Sequence, residues 1–430
     1  MPRPTVIDLF SGAGGMSLGF EQAGFDVVAA VEVDPVHAAV HKFNFPKCAT
    51  LCRDISRLSG SEIRDAAGVG KRKIDLVIGG APCQGFSLIG HRSLEDPRNA
   101  LVAEFIRLVR ELDARYFVFE NVKGLTVGPH KAFLEELVAA IESSGYTIKK
   151  PWRVLNAADY GVPQSRERLI LLGTKKGLRI PDYPAASLIR PTCEDALDDL
   201  PDADEFHALL ESDETRLPAN AWRYPSKYAR EMRCLSNDAW HYGYVREWDR
   251  RIMTSSMRTE HTEISRRRFR ETNVGETEPI SRFFKLRAEG QSNTLRAGTD
   301  ASRGAFTSPR PIHYRYARCI TVREMARLHG FPDWFRFQHT KWHGARQIGN
   351  AVPPPLARAI GGAVINAIGH TPRICETSIA LGDTGLLRMD VGEAAQFWGI
   401  KKPLGKRDRK SGARKRRQWE IEAALQSSSN

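Results

Sequence analysis

Thr5-Val6-Ile7-Asp8-Leu9-Phe10-Ser11-Gly12-Ala13-Gly14-Gly15 is an apolar run, interrupted only by Asp8, that ends in glycines. Apolar residues with so little polar alternation read as a strand buried on both faces, the habit of parallel sheets. Met16 to Ala23 continues as a helix closed by Gly24, and Phe25 to Val33 is a second strand ending near Glu32 and Asp34. The unit is strand, glycine loop, helix, strand, acid. It predicts an α/β chain with a parallel sheet and its ligand side at the carboxyl ends of the strands.

A glycine loop lets a ligand approach the backbone closely, and an acid about 20 residues later reaches a ribose diol. The dinucleotide pattern G-x-G-x-x-G fails here because Ser17 stands where the third glycine belongs, which disfavours a pyrophosphate. With Phe10 placed to pack on an adenine, a nucleoside without phosphates, such as S-adenosylmethionine, fits the loop; a tight turn without a ligand is the alternative. Arg53-Asp54-Ile55 follows a short third strand. Asp54 there is either an acceptor for an adenine amino group or a turn cap.

Ile74-Asp75-Leu76-Val77-Ile78 is another buried strand, and it delivers Gly79-Gly80-Ala81-Pro82-Cys83-Gln84-Gly85-Phe86-Ser87. A thiol at the mouth of a parallel strand, held by Pro82 and followed by a polar stretch to Asn99, stands where a nucleophile would sit. A buried structural cysteine is the alternative. Tyr116-Phe117-Val118-Phe119 carries Glu120-Asn121-Val122 at its carboxyl end, either on the ligand side of the sheet or on the surface. Helical spacing marks Asn99–Leu112 and Lys131–Ser143. Trp152–Leu155 and Leu169–Leu172 read as a strand pair flanking Gln164-Ser165-Arg166-Glu167-Arg168. Arg166 and Arg168 alternate on an extended segment and so point the same way, toward a base carbonyl, phosphates or solvent.

The chain is 430 residues long, enough for two domains and an extension, with a formal charge of +13. That charge points first to nucleic acid and second to an anionic membrane. From Lys401 to Asn430 there are ten Lys/Arg against three Asp/Glu, so about half of the excess is in the tail. The body is only moderately basic, as befits an enzyme with a positive cleft. Seven cysteines include no C-x-x-C pair, and Cys48 and Cys52 lack partners with zinc-ligand spacing. No signal-peptide core and no run of 18 apolar residues is visible. The expectation is a soluble, cytoplasmic, reduced protein without a metal.

From about Pro191 the regular alternation gives way to irregular, charged sequence dotted with aromatics through Arg310, including Trp240-His241-Tyr242-Gly243-Tyr244 and Arg266-Arg267-Arg268-Phe269-Arg270. Basic residues interleaved with aromatics suit a DNA-facing module; a loosely patterned accessory domain is the alternative. Thr321–His329 is helical, and Gln347-Ile348-Gly349-Asn350-Ala351-Val352 precedes a last helix, Leu356–Ile368. After Thr371 the pattern weakens, and the Lys/Arg cluster of 401–417 reads as a solvated tail or as a source of non-specific attraction to phosphates. There is no internal repeat.

Six of these stretches resemble, in order, the motif set of bacterial-type DNA (cytosine-5)-methyltransferases: Asp8–Gly15, Ala81–Gln84, Glu120–Val122, Gln164–Arg168, Arg323–Leu328 and Gln347–Val352. The resemblance spans residues 5 to 368. It implies methyl transfer from S-adenosylmethionine to cytosine C5 by covalent catalysis, with Cys83 adding to C6. It assigns Glu120 to N3 and the exocyclic amine, Arg168 to O2 and to bracing Glu120, and Arg166 and Gln164 to supporting the site. Cofactor positions carried over are Phe10, Gly12, Ala13, Gly15, Glu32, Val33, Asp54, Ile55, Pro82, Leu101, Asn350 and Ala351. Because C6 is inaccessible in a duplex, the base must flip out, and the loop from Gln84 to Asn99 would close over it.

The resemblance also implies the fold: a Rossmann-like, mostly parallel seven-stranded sheet of the S-adenosylmethionine-dependent methyltransferase type, with a smaller inserted target-recognition domain. The expected divisions are a catalytic domain over 1–190, recognition domain and hinge over 191–344, a return over 345–370, and a basic, partly disordered extension over 371–430. The expected partner is double-stranded DNA, with the enzyme monomeric, no membrane involved, and the protein either stand-alone or the companion of a restriction endonuclease acting on the same site. Arg53, Met325 and His329 depart from the family pattern without touching a catalytic role. An RNA cytosine methyltransferase and a catalytically silent DNA-binding regulator are the rival readings; the large 191–310 insert opposes the first, and intact Cys83, Glu120 and Arg168 oppose the second. No D/N-P-P-Y/F motif supports methylation of an amino group.

Overall fold

The computed structural model describes residues 2–82, 100–128, 130–299 and 308–403. Its first part runs β1 (Thr5–Leu9), α1 (Gly15–Ala23), β2 (Asp26–Glu32), α2 (Pro35–Asn44), β3 (Ala49–Cys52), α3 (Gly60–Ala66), β4 (Leu76–Gly79), α4 (Ala100–Glu111), β5 (Tyr116–Val122), α5 (His130–Ser143), β6 (Tyr146–Ile148), β7 (Arg153–Asn156) and β8 (Glu167–Lys175). The strands form one sheet in the order β3-β2-β1-β4-β5-β8-β6, with β7 also on β8. The first five are mutually parallel, and β8 runs antiparallel to β5. The sheet therefore has eight strands where seven were expected. The difference lies at the last position, where β6 and β7 both pair antiparallel with β8. Pro151 lies between them and has no N–H to continue the ladder.

Side chains of the central strands alternate between two cores, as a period of two requires. Val6, Leu76, Ile78, Tyr116 and Val118 bury on the face covered by α1. Ile7, Leu9, Val77, Phe117 and Phe119 bury on the face covered by α3, α4 and α5. The chain leaves β1 toward β2 and β3, then crosses back to β4 on the other side of β1. This makes a topological switch point between β1 and β4, where open α/β sheets place their ligands.

The second part contains α6 (Cys193–Leu197), β9 (Thr215–Arg216), α7 (Lys227–Met232), β10 (Val245–Glu247), β11 (Ile252–Met253), α8 (Glu263–Glu271), α9 (Val322–His329), α10 (Lys341–Asn350) and α11 (Pro354–Ile368). Its own cores are small: Ala203, Leu209, Leu217 and Met253 in one, Phe269, Ile312 and Cys319 in the other. Helix α9 belongs elsewhere. Val322, Met325, Ala326 and Leu328 share a core with Val6 and Phe20 of the sheet and α1. Gly15 and Gly19 let α1 lie against α11 and the chain leading into it: a Cβ on Gly15 would stand 2.5 Å from the Val352 carbonyl oxygen, and one on Gly19 2.4 Å from Ala357 Cβ.

The insert is tied to α9 by buried ions. Arg327 donates from Nη1 to Asp199 at 3.0 Å and from Nε and Nη2 to Asp333 at 2.6 and 2.7 Å. Arg318 donates from Nη1 and Nη2 to Glu324, both at 2.9 Å, and from Nε to Asp202, also at 2.9 Å.

The segment from 371 was expected as an extension, but it folds back on the domain as far as the description reaches. β12 (Ser378–Ala380) pairs parallel with β10, and α12 (Val391–Phe397) packs on α2. Leu386 and Leu387 bury with Ala13, Ala39, Val40 and Phe43, an apolar pair too short to show as a periodic pattern. Among the described residues no helix is long and apolar enough to cross a membrane.

Candidate functional site

The strand register builds the site. Leu9 aligns with Gly79 and Gly79 with Phe119, so the next residues, Phe10, Gly80 and Glu120, leave three neighbouring strands at the same level. On the other side of β5, Val122 faces Arg168 and Glu120 faces Ile170. Glu120 and Arg168 are thus diagonal neighbours on one face of an antiparallel pair, within reach of long side chains. They form an ion pair, Arg168 Nε to Glu120 Oε1, at 2.8 Å. Gly80 completes the corner, since a Cβ there would stand 2.6 Å from Glu120 Oε2. Burial pushes the Glu120 carboxyl above its ordinary value, and the guanidinium of Arg168 pulls it back.

These residues open on a cavity of about 650 Å³ at the carboxyl ends of the strands, within the range of about 300–1,000 Å³ common for small-molecule sites. Phe10, Gly12, Ala13 and Gly15 line it from the first loop, Glu32 and Val33 from β2, and Asp54 and Ile55 from the turn after β3. Pro82, Leu101, Asn350 and Ala351 complete the expected set, with Glu120, Arg166 and Arg168 at the same cavity. Cys83 and the loop from Gln84 to Asn99 lie outside the described residues.

Local physics explains most of these positions. Phe10 has φ 64° and Gly12 φ 55°, so the chain turns sharply off β1; the left-handed conformation at Phe10 is one that a bulky residue rarely adopts. Glu32 Oε2 accepts the Gly12 N–H and Oε1 the Asp34 N–H, both at 2.8 Å. These bonds hold the carboxylate at the cavity wall with lone pairs to spare, while burial raises its pKa. Asp54 Oδ1 accepts from Ser56 N at 3.0 Å as a cap; the residue is exposed and also lines the cavity, so cap and ligand contact are compatible.

Gln164 and Arg166, expected to support the site, are held by the segments around it. Gln164 is fully buried and does not line the cavity. Its Nε2 donates to His329 Nδ1 at 2.9 Å and its Oε1 accepts from Leu295 N at 3.1 Å. His329 in turn meets the Ala351 carbonyl through Nε2 at 3.0 Å. Arg166 lines the cavity, but its fork is taken up by the carbonyls of Leu295 and Gly349, at 3.0 and 2.8 Å. Both residues tie the segment around Leu295 to His329 and Gly349 beside the cavity. Three of the four arginines of 266–270 meet carboxylates: Arg266 with Asp204 at 2.8 Å, Arg268 with Glu278 at 3.6 Å, and Arg270 with Glu263.

Sequence reasoning missed Asp8, Ser11, His37, Asn121, Arg346 and Gln347, which line the same cavity. Asn121 Nδ2 donates to Ala81 O at 3.2 Å, anchoring the chain just before Pro82. Asp8 is 1 % exposed, and burial pushes its carboxyl up to about 7. It accepts from Ser17 Oγ at 2.6 Å, and Ser17 meets His41 Nε2 at 3.0 Å. Ser17 in place of a third glycine thus completes a buried polar chain. The position of Asp8 inside the first strand was a signal that went unused.

The family model for C-5 cytosine-specific DNA methylases matches residues 4–366. A relative from Xanthomonas oryzae pv. oryzae, Type II methyltransferase M.XorII, is 56% identical over 400 residues, covering 93% of each chain. Type II methyltransferase M1.HphI of Haemophilus parahaemolyticus is 35% identical over 370 residues, 84% of this chain and 86% of that one. Among solved structures, a prophage-encoded protein of E. coli described as a DNA modification methyltransferase superposes with a TM-score of 0.69 at 33% identity, covering 85% of this chain and all of that one. The chain belongs to the C-5 cytosine-specific DNA methylase family and is a DNA (cytosine-5)-methyltransferase.

Proposed function

We propose that the enzyme takes its methyl group from S-adenosylmethionine and delivers it, through a Cys83–C6 adduct, to a flipped-out cytosine in a short duplex sequence. The chemistry of the cavity fits the cofactor. Phe10, Ile55 and Leu101 offer apolar surface, Glu32 offers a carboxylate with free lone pairs, and buried Ser11 Oγ lines the cavity without a hydrogen-bond partner. When bound, S-adenosylmethionine supplies an electrophilic methyl carbon.

The protein's own residues do the rest. Addition of the Cys83 thiolate to C6 makes C5 nucleophilic. Glu120, its carboxyl raised by burial, is suited to carry the proton at N3 during that attack. Arg168 holds Glu120 in place and offers donors toward the base O2. After transfer, loss of the C5 proton and departure of Cys83 restore the ring. The Glu120–Arg168 pair at the cavity, held by register rather than by flexible loops, carries this reading.

The names of the relatives support a second part of the reading, that the enzyme is the modification half of a bacterial restriction–modification pair working in the cytoplasm. Bisulfite sequencing of plasmid DNA from methylation-free bacteria expressing the chain tests the activity. Protected cytosines should recur in one short context, and should be absent with Cys83→Ser and with Glu120→Gln. Soluble protein that protects no cytosine would overturn the reading.

A further inference from the structure

Residues 371–403 lie beyond the 4–366 span of the family match, yet they touch both sides of the cofactor cavity. On one side they hold α2. Gly382 N donates to Phe43 O at 2.9 Å near the end of the helix, and Trp398 Nε1 donates to Pro35 O at 3.1 Å at its start. Asp34 and His37, at that start, line the cavity. In the middle, Leu386 and Leu387 bury in one cluster with Ala13, a residue of the glycine loop that also lines the cavity.

On the other side the segment holds the turn before α10. His339 N donates to Leu387 O at 3.1 Å, and Gln338 Nε2 donates to Met389 O at 3.4 Å. Gln338 N in turn donates to Gln347 Oε1 at 3.1 Å, and Gln347 lines the cavity from α10. Nothing else in the chemistry of methyl transfer requires these contacts.

We propose that residues 378–398 are a clasp that sets the spacing between the glycine loop with α2 and α10, and that Leu387 is its positioning residue for cofactor binding. The inference rests on the reading of the cavity as an S-adenosylmethionine site. Leu387 contributes both parts of the grip, its side chain buried in the cluster that includes Ala13 and its carbonyl accepting from His339 N. Truncating the side chain loosens the loop without removing any group that touches cofactor or DNA. A shift of loop against helix reaches the cofactor first, because small misplacements in a binding wall are amplified.

The test uses full-length protein with Leu387→Ala, Leu387→Met and Trp398→Phe. Equilibrium binding of S-adenosylhomocysteine and steady-state constants would be measured, with hydrogen exchange at residues 11–16 in ligand-free protein. Leu387→Ala should weaken binding, and raise KM for S-adenosylmethionine, by about tenfold, while kcat and KM for DNA stay within about twofold. Exchange at 11–16 should quicken, Leu387→Met should restore wild-type behaviour, and Trp398→Phe should move the same constants less. Unchanged binding and exchange in Leu387→Ala would overturn the clasp, as would equal losses toward cofactor and DNA. If Leu387→Ala does not fold, Trp398→Phe decides on the same criteria. Wild-type protein that fails to bind S-adenosylhomocysteine would instead overturn the cofactor reading, and the exchange comparison would still decide whether the clasp holds the loop.

Discussion

Asp8 shows how a single residue can set a pH dependence. It is buried at the end of a polar chain, and burial moves its pKa from 3.8 to about 7. An acid whose folded pKa is raised destabilises the fold as pH climbs, because the unfolded chain ionises first. The penalty is absent below pH 4, grows between 4 and 7, and is complete above 7. Asp8→Asn keeps an acceptor for Ser17 and removes the ionisation. The variant should therefore gain stability over wild type at pH 8, by up to about 4 kcal/mol, and the gain should shrink toward pH 5. Denaturant unfolding at the two pH values measures it, and an equal difference at both would refute the assignment. Thr50 at 3.2 Å and Ser17 at 3.0 Å flank His41, whose own pKa burial lowers to about 3. It stays neutral in the fold, but the unfolded chain protonates it below about 6.5, which opposes the Asp8 trend in that range; the same contribution is present in wild type and in Asp8→Asn and cancels in their difference.

At the scale of elements, α9 illustrates why ion pairs with similar geometry differ in worth. The side chains of Arg327 and Asp199 are both fully buried. Removing the guanidinium leaves Asp199 to Arg233 at 3.4 Å and Asp333 to Arg323 at 3.8 Å, longer contacts than those lost, and breaking a buried pair costs about 3–5 kcal/mol. Arg270 and Glu263 form a pair on the exposed face of α8, with 54% and 74% of their side chains accessible, where such contacts contribute about 0–1 kcal/mol. Arg327→Ala should thus unfold at much lower urea than wild type, and Arg270→Ala should be nearly neutral. Equal midpoints for the two variants would show that the α9 network does not join insert and catalytic core. Burial, not the count of charges, separates them.

For the whole molecule, the distribution of charge predicts how DNA is held. The chain carries +13 in total, and residues 404–430 hold eight Lys/Arg against three Asp/Glu. Each phosphate neutralised by a cation steepens the dependence of affinity on salt, by about 0.9 in log–log slope per contact on duplex DNA. Protein ending at residue 403 should bind non-specific duplex more weakly at low salt and with a shallower slope. Its target context in bisulfite sequencing should stay the same, because phosphate contacts position without reading sequence. A truncated protein with an unchanged slope would place the non-specific contacts elsewhere on the body.

Much of this was legible in the amino-acid sequence, because the signals are local. Apolar runs of four to nine residues marked β1, β2, β4 and β5 of the parallel sheet. Glycines and acids at fixed offsets marked the cavity wall from Phe10 to Glu32, and the order of six short motifs pointed to the family. Other features depended on which distant residues meet. The break between β6 and β7, Gln164 reaching His329, the fork of Arg166 closing on Leu295 and Gly349, and Asp204 meeting Arg266 are such long-range pairings. Leu386 and Leu387 look like an ordinary apolar pair until Ala13 and Phe43 are found against them. Periodicity reports which face of an element is apolar, and motifs report which chemistry is present. Neither reports what lies against that face, because burial and pairing are properties of the folded chain; only the tertiary structure decided them.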